Sequence, residues 1–112
     1  MNRVIAPMDT GVHKEGNGYE RTILFAEPTE PGLVLFKVEI RVDRIPESSF
    51  ARGYEWQPHL QEWTLVDQIG SAEFWYEVPG WERFASDRTE RSTYRLALDV
   101  LENLRQAHRA LA

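Results

Sequence analysis

The chain contains no cysteine, which excludes disulfide staples and any thiolate-based metal or redox site. It has no run of 18 apolar residues, so no segment reads as a membrane-crossing helix. The first residues, from Met1 to Asp9, lack the apolar stretch of a signal peptide. Together these features set the expectation of a cytoplasmic protein. Positive charge is also short: 13 Lys and Arg face 18 Asp and Glu, a net charge of −5. Non-specific affinity for nucleic acid comes from neutralising phosphates, so an acidic chain is a poor general polyanion binder.

Signatures of chemistry are missing as well. Glycines never gather into G-x-G-x-x-G or G-x-x-x-x-G-K-[ST], and no serine stands in G-x-S-x-G. Ser48 and Ser49 follow Pro46 and Glu47 in a turn, the usual place for serine. No two of His13, His59 and His108 are near each other in sequence, and with their neighbouring carboxylates they complete no zinc-ligand pattern. Solvent exposure is expected for the first two, and a partly buried place near the helix end for the third. No catalytic residue, metal ligand or cofactor site is therefore expected. An enzyme would need a deep pocket joining His59 with Glu55 or Glu62, which flank the Pro58 turn.

What the chain does have is pattern. Its 112 residues suit one domain, and 12% aromatic content offsets a modest 42% hydrophobic fraction. Residues 1–18 hold Pro7, Gly11, Gly16 and Gly18 with no sustained period. They read as a flexible arm, with at most a short strand at Val4–Ile5. Residues 19–112 read as a single α+β domain. Tyr19–Glu27 alternates as a strand, and Pro28 to Gly32 supplies a hairpin loop. Leu33–Ile45 is the clearest strand: Val34, Phe36, Val38, Ile40 and Val42 face one way, with charged residues mainly opposite. Phe50–Gln57, Leu60–Ile69 and Ala72–Val78 complete the set, and Gly53 marks a bulge. The inward side of Leu60–Ile69 is left open between Trp63, Leu65, Ile69 and Leu60, Thr64, Val66.

Asp87 and Glu90 fit a capping box, and Tyr94, Ala97, Leu98, Leu101, Leu104, His108 and Leu111 follow at helical spacing. Arg95 with Asp99, and Glu102 with Arg105, are expected as surface pairs of little weight. The fold class is thus α+β: a four- to five-stranded antiparallel sheet with one long C-terminal amphipathic helix packed on one face.

One helix covers only one sheet face, so function is expected on the other. Aromatic residues crowd positions 54–84, interleaved with acid. The candidate contact residues are Tyr54, Glu55, Trp56, Glu62, Glu73, Trp75, Glu77 and Trp81. Acid around stacked rings repels phosphate and suits a basic protein surface. The expected function is a small non-enzymatic protein-binding module or inhibitor. Its partner would be a basic or nucleic-acid-binding protein, as for some small phage-encoded inhibitors. Two alternatives stand beside it. One is a structural or homo-oligomeric component pairing through free strand edges. The other is a nucleic-acid binder using Arg88, Arg91, Arg95 and Arg109 on the helix.

Overall fold

The computed structural model describes residues 5–16, 18–29, 32–43, 48–69 and 86–111. The elements are β1 (Ile5–Asp9), β2 (His13–Glu15), β3 (Gly18–Pro28), β4 (Leu33–Asp43), β5 (Phe50–Gln57), β6 (Glu62–Ile69) and α1 (Ser86–Leu111). All strand pairs are antiparallel, in the order β1-β3-β4-β5-β6, with β2 also paired to β3. The expected α+β class is what is found. The expected strand Ala72–Val78 lies outside the described residues.

In place of a loose arm, β1 and β2 pair with β3 along most of residues 5–15. Two devices support this pairing. Gly16, at φ +62, allows the two-residue turn that sets Glu15 opposite Gly18. Asp9 reaches across to Arg21, with its carboxylate oxygens 3.1 Å from Nε and 2.6 Å from a terminal nitrogen. Short strands without periodicity are held here by a long-range ion pair, which local pattern does not reveal.

The β3–β4 hairpin is the frame of the sheet, in unbroken register from Gly18 opposite Asp43 to Pro28 opposite Leu33. Its alternation places Ile23, Phe25, Phe36, Val38, Ile40 and Val42 on one face, all at most 2% exposed. Helix α1 covers that face with Leu96, Ala97, Val100, Leu101 and Leu104. The buried stripe differs from the expected one: Tyr94 is 40% and Leu98 38% exposed, whereas Thr93, Leu96 and Val100 are buried. The helix is rotated because polar partners on the sheet hold it. Arg21 donates to the Thr93 hydroxyl at 3.1 Å, pulling Thr93 inward, and its guanidinium lies 5.4 Å from the displaced Tyr94 ring.

A second clamp sits 12 residues along the helix, where Arg105 Nε donates to Glu27 at 2.8 Å. Twelve residues of helix rise ~18 Å. The six strand residues from Arg21 to Glu27 rise ~20 Å. The two clamps therefore match, and α1 runs in the same direction as β3 while lying over β4 and β5. Of the two expected helix pairs, Glu102–Arg105 forms at 3.1 Å. Arg105 is not merely a surface partner, because its other carboxylate, Glu27, is only 8% exposed.

Arg21 holds the Asp9 carboxyl below its ordinary value of 3.8, mainly by direct hydrogen bonding. A depressed carboxyl contributes stability that is present above its ordinary pKa and lost as pH falls through the lowered one. Asp9→Asn is accordingly expected to flatten the decline of the denaturation midpoint between about pH 5 and about pH 2. A mutant and wild type with parallel declines would show that Asp9 adds nothing to acid sensitivity.

Candidate functional site

The face opposite α1 is built by the outward residues of four strands, and the registers arrange them in rows. Leu24, Lys37, Tyr54 and Leu65 form one row across β3, β4, β5 and β6. Beside it stand Trp56 and Trp63, directly opposite each other, with ring centroids 5.3 Å apart at 62°. The Lys37 ammonium lies 4.6 Å from the Tyr54 ring centroid and 4.9 Å from that of Trp63. A cation over two rings ties the row together. Tyr54 has its hydroxyl pushed above its ordinary value, first by burial and then by hydrogen bonding to Glu39. The far end of the face is charged. Glu20 pairs with Arg41 at 2.6 Å, and Arg52 stacks 3.9 Å from the Phe50 centroid. Leu65 is 50% exposed, and the rings of Tyr54, Trp56 and Trp63 are half-buried.

Of the expected contact residues, Tyr54 and Trp56 are brought together here. Glu55 is not: strand alternation turns it to the helix side, where His108 Nδ1 lies 3.2 and 3.3 Å from its two oxygens. Glu62, exposed and opposite Gln57, shares the helix-side face with Glu55. Glu73, Trp75, Glu77 and Trp81 lie outside the described residues. The described part of the open face carries both signs, with Lys37, Arg41 and Arg52 beside Glu15, Glu20 and Glu39. Trp63 and Lys37 were missed as members. A signal for Trp63 existed: a four-residue loop over residues 58–61 sets Trp56 opposite Trp63.

The bulge expected at Gly53 is real. Register shifts between Gly53 and Tyr54, leaving Val66 as the extra residue on β6. This shift puts Leu65, next to Trp63, in line with Tyr54.

A cleft opens where β4 and β5 part. Their ladder runs from Arg41 opposite Phe50 to Phe36 opposite Glu55. Beyond that point Leu33–Leu35 stay with β3, and Trp56 and Gln57 stay with β6. The fork between them holds about 390 Å³, walled by Leu33, Val34, Leu35, Trp56, Gln57 and Pro58, with Glu55 and His108 at its apex. The Glu55 side chain is 16% and that of His108 37% exposed. The His108 ring meets Phe36 edge-on at 6.3 Å. Its Nδ1 is committed to Glu55, so in the Nδ1–H tautomer Nε2 is left as an acceptor. On its other side His108 borders a hollow of about 110 Å³ shared with Glu27, Arg105 and Arg109. The histidine joined to Glu55 is thus His108 and not His59, which is exposed in the loop. These residues are 53 apart in sequence, and only the helix placement unites them.

Arg91, Arg95 and Arg109 are exposed on α1. Arg91 and Arg95 flank a shallow hollow of about 320 Å³ with Arg21, Tyr94 and Leu98. Among the described residues no group of three or more His, Cys, Asp or Glu could hold a metal ion. No described helix is long and apolar enough to cross a membrane. Comparison of the chain with protein-family models, with curated proteins and with solved structures finds no match, so no relative supplies a function for either surface.

Proposed function

We propose that this protein is a non-enzymatic protein-binding module that meets a partner through the sheet face opposite α1. The observation that carries the reading is the ridge formed by Tyr54, Trp56, Trp63 and Leu65, on a face that no described element covers. Binding hot spots are enriched in Trp and Tyr, which provide rigid contact area at little entropic cost. Lys37, held between two rings, adds a polar contact already fixed in place. Glu62 and Glu55 lie on the helix-side face of the same hairpin end, and the chain is acidic overall at −5. This favours a partner with a basic contact surface.

The test is affinity capture from the native host with three baits: wild type, Tyr54→Ala/Trp63→Ala, and Arg95→Ala/Asp99→Ala. The first double variant is expected to lose a captured protein that the helix-face variant retains. If every captured protein is recovered equally with all three baits, the open face is not the contact surface.

A further inference from the structure

We propose that the fork between β4 and β5 is a binding pocket for a single basic side chain, lysine or arginine, presented by the partner. The inference rests on the protein-binding reading above and assigns the charge and shape of one contact within it.

The walls and floor of the fork differ in character. Leu33, Val34, Leu35, Trp56 and Pro58 offer aliphatic and indole surface. The floor carries one carboxylate, Glu55, the only Asp, Glu, Lys or Arg among the described residues that line the fork. Arg105 and Arg109 border the hollow behind His108, and Arg105 is already engaged by Glu27 at 2.8 Å and Glu102 at 3.1 Å. A single N–H bond from His108 Nδ1 leaves the Glu55 carboxylate spare lone pairs. This is the complement of a Lys or Arg side chain. Its methylene stem gains apolar cover from the leucines and Trp56, and its charged head reaches Glu55 with the indole close by. A volume near 390 Å³ is within the range of small-ligand pockets. Trp56 belongs to both the fork and the Trp56–Trp63 pair on the open face. A partner lying on that face is therefore positioned to insert a side chain at its end.

The probe is Nα-acetyl-lysine amide with a free ε-ammonium, titrated against ¹⁵N-labelled protein, with Nα-acetyl-norleucine amide as the uncharged counterpart. The lysine probe is expected to shift the Trp56 indole N–H and the His108 ring signals, with affinity on the order of millimolar. The norleucine probe should bind at least tenfold more weakly, and Glu55→Gln should remove the difference between the two. Equal shifts from both probes, or none from either, would overturn the proposal, and this reading on the wild type does not depend on how the variant folds. Partner capture then separates the two proposals. If Tyr54→Ala/Trp63→Ala loses the partner but Glu55→Gln keeps it at full affinity, the open face stands and the basic-side-chain pocket falls. If both variants keep it, the protein-binding reading of the face falls as well. A response to free alkylammonium without any effect of Glu55→Gln on partner affinity identifies a small-amine site and also overturns the side-chain proposal.

Discussion

Gly53→Ala is expected to destabilise the fold by about 1–3 kcal/mol, the usual cost of an extra methyl in a filled core. A Cβ built on Gly53 would stand 2.7 Å from Val100 Cγ1 and 2.9 and 3.0 Å from the Leu104 methyls. Those side chains are fully buried, so neither can swing into solvent. Gly53 is therefore a point of close approach between α1 and β5, and a methyl there must lift the helix or push both side chains off their rotamers. Leu104→Ala alone is expected to cost about 2–5 kcal/mol through lost burial and a cavity. In the double variant the new Cβ occupies part of that cavity, so the two costs should fall short of their sum. Denaturant midpoints of the four proteins test this. Additive costs would mean that the helix accommodates the methyl by moving as a body, without a specific clash.

Arg21→Ala is expected to cost about 3 kcal/mol, near the lower end for a broken buried ion pair. Arg21 is 5% exposed and serves at least three groups: it forks onto Asp9, donates to Thr93 and lies over the Tyr94 ring. Its removal leaves the Thr93 hydroxyl buried without this donor. It also leaves a carboxylate that is 30% exposed and so partly rescued by water, which is why the lower figure applies. Arg21→Met, which keeps most of the volume, should lose less. Hydrogen exchange supplies the second readout. With Arg21 replaced, the amides of β1 should exchange faster relative to those of β4, because the Asp9 contact is a main tie between β1 and the sheet. Unchanged protection of β1 would show that its backbone ladder suffices.

The parts of the fold that could be read from sequence are those governed by local period. β4 alternates over its whole length, and every inward residue from Phe36 to Val42 is buried. The polar exceptions were less legible. Glu27 and Arg105 are 78 residues apart, and Arg21 and Thr93 are 72 apart. No local window contains either pair, yet they choose the rotation of α1 and send Tyr94 and Leu98 to the surface. Gly53 was visible as an irregularity. That the helix presses onto it was not, because closeness depends on the partner element.

The candidate contact set divides in the same way. Tyr54 and Trp56 share a face because strand alternation allows nothing else. The same alternation removes Glu55 from them, although it sits between the two. Pattern alone determined an antiparallel sheet, a C-terminal helix and the sidedness of β4 and β5, because periods of two and of 3.6 are properties of the chain itself. The tertiary structure decided which helix residues meet the sheet, which histidine reaches Glu55, and that β4 and β5 part beside Trp56. Each of these depends on distances between segments far apart in sequence, set by clamps and close packing that no local period encodes.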